Sequence, residues 1–546
     1  MDAIPFISQD AAQISRRASP TPGPAGTAPP PSAPPPAFGV RLAAGLLGVL
    51  LAAILSGLNN RVPGLALADV QGALGFAQDD ASWLNTAYAA GELAAMPFAT
   101  WFAVTFSMRR FHLAMLAGAL VLSSILPFVQ SLSLLLALRA LQGLLSGALI
   151  PMLMMSALRF LPPPIRLHGL ALYAMTATFA PNVALWLAAL CVDRLEDWRW
   201  VYWQAIPLGL VAMGLVAWGV PKMPPALSRL KQGNWLGMAL GVPGLALVVA
   251  GLDQGVRLDW FHSPLIVAAL GVGIVLTALF LASEWRHPAP FMQLQMLGRR
   301  NLGVGFSVFV CLLMTMATAV TLPASLLGRL QGFRMEQMAS IGLIVGLPQL
   351  VLGPAVALLL YQRWVDARHV FAAGLACIAA ACWLGAGITS EWMVPQFMWA
   401  EILQAIGQPM AVIALLFLAT SVVQPMEGPS VAGIVNTFRA FSSVLGGALI
   451  GQLTTVRSHF HADMLLDRAG HLLPRLPPSD PGALTLAAMV AQQAGVLAAA
   501  DVYRVFGWLA LLLIPIVLKL QYIPAPAQTR TPQATPPAGT QTGTAH

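Results

Sequence analysis

Charge is what this sequence has least of. Of its 546 residues only 9% are Asp, Glu, Lys or Arg, whereas 58% are hydrophobic, and the mean hydropathy is +0.74. A soluble globular chain carries about 25% charged residues, so most of this surface must face lipid. The formal net charge of +8 is then no signature of nucleic-acid binding. In a membrane protein it records Lys and Arg held at the cytoplasmic face. Cysteine is also scarce: Cys191, Cys311, Cys377 and Cys382 form no CxxC and lie within or at the end of apolar runs. They read as small apolar helix residues, with no disulfide expected. Enzyme signatures are missing as well. There is no G-x-x-x-x-G-K-[ST] phosphate loop, no HExxH and no GxSxG, and the soluble segments are too short for a catalytic domain. Neither an enzyme, a cofactor nor a metal centre is expected, and ATP is not expected to drive the protein directly.

What is present is apolar length. A membrane-spanning helix needs roughly 20 mostly apolar residues. Apolar runs between polar or proline breaks number fourteen, at about 40–62, 82–104, 111–130, 133–158, 168–191, 200–220, 235–252, 263–283, 302–326, 337–361, 370–388, 394–420, 430–455 and 501–521. They predict an all-α integral membrane protein. Residues 1–37, rich in proline and alanine, and residues 523–546 read as disordered cytoplasmic tails. The first of these lacks the early apolar run of a signal peptide. With the amino terminus inside, the cytoplasmic segments hold about twice as many Lys and Arg as the opposite side, which predicts both termini inside. Residues 456–500 read as a long outer loop. His459, His461, Asp463 and His471 there have ligand chemistry, but the simpler reading is a solvated loop with an amphipathic segment.

A charge at the bilayer centre costs about 2.5–3.5 kcal/mol even on a lenient scale, so an ionisable residue inside a span must face protein or water. Four qualify: Glu92 in "TAYAAGELAAMPF", Arg139 in "ALRALQGLLSGALIP", Glu401 in "QFMWAEILQAIGQP" and Arg439 in "IVNTFRAFSSVLGG". Burial makes a carboxylate easier to protonate, so Glu92, and after it Glu401, are the candidate proton carriers. The arginines have either a substrate role or a structural one, donating to backbone carbonyls. Glycines stand four apart at Gly143 and Gly147, at Gly342 and Gly346, and at Gly447 and Gly451, a spacing that lets helices approach closely.

The pattern Arg139-x-x-Gln142-Gly143, followed by Gly147 and Pro151, resembles the fourth helix of the major facilitator superfamily, drug:proton antiporter-2 branch, of the EmrB/QacA type. "WLNTAY" (83–88), "DWRWVYWQAIPLG" (197–209) and the pair Asn436 and Arg439 are similar to other helix signatures of that branch. The resemblance implies fourteen spans: a six-helix bundle over 38–221, two extra helices and a cytoplasmic linker over 222–300, and a second six-helix bundle over 301–522. It implies a substrate cavity between rocking bundles. The expected cavity residues are Asn59, Asn60, Arg61, Arg139, Gln142, Asn182, Trp186, Gln404, Asn436 and Arg439. The activity implied is export of amphiphilic small molecules in exchange for protons, from the inner membrane, in relatives often alongside a periplasmic adaptor and an outer-membrane channel.

Departures from the branch pattern are equally specific. The loop after the second helix reads "TWFAVTFSMRR": Thr100 and Ser107 replace glycines, and Arg109 and Arg110 alone keep the basic end expected to gate. The glycines of the antiporter motif become "ALWLAA" (184–189). In the first helix the usual acid is Asn59, and Arg61 stands where a threonine is usual, inside "SGLNNRVPG". Pro63 and Gly64 then predict a bend within a longer helix rather than its end. Two alternatives remain open: a facilitator for an anionic metabolite, using Arg61, Arg139 and Arg439, and a membrane subunit whose main task is to hold an adaptor through the long loop and the tails.

Overall fold

The computed structural model describes residues 38–469 and 481–525. The tail predicted at 1–37 and residues 526–546 of the second tail lie outside the described residues. The helices are α1 Val40–Leu65, α2 Leu67–Leu74, α3 Gln78–Phe106, α4 Met108–Ile125, α5 Leu132–Gly147, α6 Leu149–Phe160, α7 Arg166–Thr178, α8 Ala180–Ala189, α9 Trp200–Trp203, α10 Ala205–Gly219, α11 Trp235–Gly255 and α12 Pro264–Arg286. They continue as α13 Arg300–Met316, α14 Thr321–Leu330, α15 Met335–Gly346, α16 Gln349–Leu360, α17 Ala367–Gly385, α18 Val394–Thr420, α19 Gly428–Ala469 and α20 Pro481–Leu518. Among the described residues, 12 helical stretches are long and apolar enough to cross a membrane, or 13 with the bent pair α7–α8. α3 has 29 residues but carries Asp79, Asp80 and Glu92 and falls outside that set.

Several predicted spans are broken in two, and proline accounts for the position of the breaks. Pro151 follows the α5–α6 break, Pro181 opens α8, Pro323 sits in the first turn of α14, and Pro348 precedes α16. Proline has no N–H for the carbonyl four residues back, and its ring crowds that carbonyl. Between α7 and α8 the axis bends by 45°, and the Asn182 side-chain amide donates to the Thr178 carbonyl across the break. Pro63 behaves differently. α1 continues through it to Leu65, and α2 begins one residue later. "SGLNNRVPG" is therefore helical throughout, and its polar residues stay inside the protein.

Two of the three glycine pairs mark close crossings. A Cβ on Gly143 would come within 2.1 Å of the Tyr88 carbonyl oxygen, and one on Gly147 within 2.5 Å of that of Glu92. α3 and α5 thus meet backbone to backbone. A Cβ on Gly342 would lie 2.2 Å from the Asn182 carbonyl oxygen, which fixes α15 against α8. The third pair does not mark a crossing: Gly447 faces open space, and Gly451 meets only the Val256 side chain at 3.3 Å.

The helices between the two large helical regions pack on each other, and α11 also lies against α3 and α19. Gln254 Nε2 donates to Thr86 Oγ1 at 2.6 Å, and Trp260 Nε1 to Gln452 Oε1 at 2.6 Å. Below them, buried Glu284 accepts from Asn234 Nδ2 at 2.8 Å and from the Met292 amide at 2.9 Å. Arg299 then grips Glu427 through two bonds of 2.6 and 2.8 Å. These bonds hold the Glu427 carboxyl below its usual range.

The long loop expected over 456–500 is instead mostly helix. α19 runs 42 residues to Ala469, and α20 starts at Pro481. His459, His461 and Asp463 end the apolar run but not the helical period, because polarity closes a span without closing a helix. Asp501 fastens the two helices: Arg457 Nη2 lies 2.6 Å from it, His461 Nε2 2.8 Å and Arg504 Nη1 2.8 Å. His471 lies outside the described residues.

Candidate functional site

The polar stretch of α1 and the acid of α3 meet at a central cavity with about 960 Å³ of empty space, part of it open to solvent. Asn60, Arg61, Glu92, Asn182, Gln408, Arg439 and Ser443 supply its polar wall, and Met96, Leu313, Met316, Val320 and Val444 much of its apolar one. The walls come from α1, α3, α7, α8, α13, α18 and α19, so sequence positions nearly 400 residues apart converge.

Glu92 is only 6% exposed. Its Oε2 accepts from Asn60 Nδ2. Arg439, Arg61 and Arg139 all act on it electrostatically, yet among the described residues none forms an ion pair with it within 4.0 Å. The carboxylate is held in a positive field by one direct amide contact. Arg61 donates to Ser443 Oγ at 3.2 Å and Arg439 to Thr176 Oγ1 at 2.6 Å. Both arginines lie deep in the fold yet are partly exposed, because their free surface faces the cavity.

Arg139 stands behind this wall rather than in it. It is fully buried, with its guanidinium carbon 4.4 Å from the Tyr88 ring centre and 5.7 Å from that of Tyr202. Nη1 donates to Gln142 Oε1 at 2.6 Å and to the Asn59 carbonyl at 3.4 Å, while Nε and Nη2 have no hydrogen-bond partner. Aromatic faces and the nearby acid carry the rest of its compensation. Gln142 passes on to Ser123 at 2.8 Å, and Asn59 Oδ1 accepts from Gln204 at 3.2 Å.

Of the expected cavity residues, Asn60, Arg61, Asn182 and Arg439 line the space. Asn59, Arg139, Gln142, Gln404 and Asn436 form a layer of polar contacts behind it. Asn182 Nδ2 donates to Gln408 at 2.9 Å, Gln408 to Gln404 at 3.4 Å, and Tyr173 to Asn436 at 3.0 Å. Trp186 is not on the central cavity. It is 37% exposed and borders a separate groove with Arg194 and Glu336. Trp186 stands one turn further along α8 than Asn182, which does line the cavity. That groove is crossed by ion pairs from Arg194 to Glu336 at 2.8 Å and from Arg334 to Asp193 at 2.6 Å and Asp69 at 3.2 Å.

Glu401 is buried away from the cavity, with Oε2 unpartnered and with Tyr503 and Cys382 within its electrostatic reach. Arg109 and Arg110 open α4 just after Ser107, which keeps a glycine-like φ of 76° although it carries a side chain. Sequence reasoning missed Tyr88, Thr176, Gln408 and Ser443. Gln408 was recoverable, since it stands one helical turn from the expected Gln404 on the same face.

A many-spanning helical protein with a polar cavity where distant helices converge has the architecture that a secondary transporter of small molecules needs. Residues 49–280 match the sequence profile of the Major Facilitator Superfamily. The chain is 24% identical over 443 residues to the fatty acid resistance protein FarB of Neisseria gonorrhoeae, covering 81% of this chain and 85% of that protein. It is 22% identical over 441 residues to the multidrug export protein EmrB of Escherichia coli K12, covering 80% and 85%. Its fold is similar to that of the human organic anion transporter MFSD10, with a TM-score of 0.55 at 15% identity over 87% of this chain and 99% of that one. The proton:xylose symporter XylE gives 0.54 at 12% identity, covering 88% and 96%. These findings support membership of the major facilitator superfamily.

Proposed function

We propose that this protein is a proton-coupled secondary transporter that exports amphiphilic small molecules across an inner membrane by alternating access. In this reading α3 is the remaining span, which brings the count to fourteen. The helices before 222 and after 300 form two bundles that rock about the central cavity, with α11 and α12 as the added pair. The resistance and export for which FarB and EmrB are named support the outward direction. Mixed polar and apolar cavity walls support an amphiphilic cargo.

The observation that carries the proposal is the setting of Glu92. It is a buried acid on the cavity wall, bonded to Asn60 and set among three arginines without a direct ion pair. Such a group can exchange a proton with cavity water while the surrounding cations register the change. Glu401 does not line the central cavity and is not assigned this role. The test is transport of an amphiphilic dye into inverted proteoliposomes with and without a pH gradient. Glu92→Gln should abolish the acceleration by the gradient. Full gradient-dependent uptake by that variant would remove Glu92 from the role.

A further inference from the structure

Arg61 and Arg439 reach one cavity from α1 and α19, and among the described residues neither has a carboxylate within 4.0 Å. Arg61 hydrogen-bonds the Ser443 hydroxyl, and Arg439 the hydroxyls of Thr176 and Tyr173. A guanidinium has five N–H donors, so both groups keep donors turned toward open space. The two also repel one another. With Arg139 behind them, three guanidinium groups surround the single acid Glu92. Even with Glu92 ionised, the site holds more positive than negative charge. A buried excess of this kind is costly unless something completes it.

Resting on the transporter reading above, we infer that the space between Arg61 and Arg439 is a head-group subsite for an organic monoanion. Its apolar part lies against Met96, Leu313, Met316 and Val320. The anion would bridge α1 and α19, and so both halves of the molecule, with Arg guanidinium forks matched to planar or tetrahedral oxyanions.

A consequence follows for the proton. Glu92 faces Arg61 from α1, Arg439 from α19, Arg139 from α5 and Tyr88 on its own helix, with Asn60 as its direct partner. A bound anion draws on the same cations that compensate the ionised acid. Anion and proton therefore bind with positive linkage, each favouring the other. A cationic drug has the opposite sign: the ionised acid attracts it and the proton displaces it. With that sign an anion and a proton travel together, so outward movement of an anion is driven by its own gradient, whereas a cationic amphiphile is exchanged for the proton.

The test uses the full chain in lipid nanodiscs and two radiolabelled probes with the same tail, decanesulfonate and decyltrimethylammonium. The sulfonate stays anionic throughout, so any pH dependence belongs to the protein. Decanesulfonate should bind at least about tenfold tighter than the cation, and Arg61→Gln or Arg439→Gln should each weaken it by about tenfold or more. Arg61→Lys should lose less affinity than Arg61→Gln, because it keeps the charge but not the fork, which separates lost charge from lost folding. Sulfonate affinity should rise as acid protonates Glu92, and Glu92→Gln should bind tightly at high and low pH alike. Tighter binding of the cation, unchanged sulfonate binding in both glutamine variants, or weakening by acid would each overturn the subsite. If the sulfonate binds as expected but no gradient moves it in proteoliposomes, the transporter reading fails and the subsite stands. If a pH gradient drives a neutral amphiphile while the sulfonate does not bind, the reverse holds.

Discussion

Glu92 on α3 and Glu401 on α18 are both buried acids, yet their surroundings have little in common. Glu92 borders a cavity, has an amide partner and sits in the field of three arginines. Glu401 lies among packed side chains with an unpartnered oxygen, near a tyrosine and a cysteine, and has no ion pair among the described residues. One acid can answer to water and cargo, and the other can answer only to its packing. The comparison teaches that burial alone does not give an acid access to water or a charged neighbour, and that these two acids differ in both.

The largest separation should come from leucine. Glu92→Leu strips three arginines of their acid and should lower stability by about 3 kcal/mol, whereas Glu401→Leu should change it by less than about 1 kcal/mol or raise it. Thermal unfolding of both variants in one detergent measures this, and equal losses would erase the contrast. The glutamine pair sharpens it for function. Glu92→Gln should lose gradient-driven transport by about tenfold or more, and Glu401→Gln should stay within about twofold. Next in size is the crossing beneath Glu92. Gly147→Ala places a methyl 2.5 Å from the Glu92 carbonyl oxygen and should cost about 1–3 kcal/mol. Gly447→Ala, which faces open space, should instead gain a few tenths of a kcal/mol, up to about 1. The smallest effect should be at a third acid, outside the spans. Arg299 holds the Glu427 carboxyl low, so its contribution is present above about pH 4.3 and is lost as pH falls through the lower folded value. Glu427→Gln should cost under about 1 kcal/mol at neutral pH and nothing at strongly acid pH, read from unfolding at the two pH values.

Much of the fold was legible because the bilayer demands long apolar runs, and these are visible one residue at a time. The helix breaks were less so. A proline signals that a carbonyl loses its donor, but the same residue breaks α7–α8 and leaves α1 intact, according to what packs around it. The hairpin of α19 and α20 was misread because histidines and aspartates were taken to end the helix. Its tie at Asp501 joins residues 44 positions apart. At the site, the four ionisable residues were found from their cost in lipid, and Asn60 and Arg61 from their place in α1. The separation of cavity from supporting layer was not in the sequence. Arg139 and Arg439 look alike as isolated arginines in apolar runs, and only the arrangement of α3, α5 and α9 puts Tyr88 and Tyr202 over the first.

The length of α19 has a mechanical meaning. Arg439 meets the cavity near one end, and the same unbroken helix continues to Ala469. At 1.5 Å per residue that is an arm of about 45 Å. A tilt of about 10° around the cavity would sweep its far end through about 8 Å, more than the diameter of a water molecule by severalfold. Because Asp501 locks α20 to it, the arm is double and resists bending. On the transport reading proposed above, a movement at Arg439 would be amplified at the far end of α19.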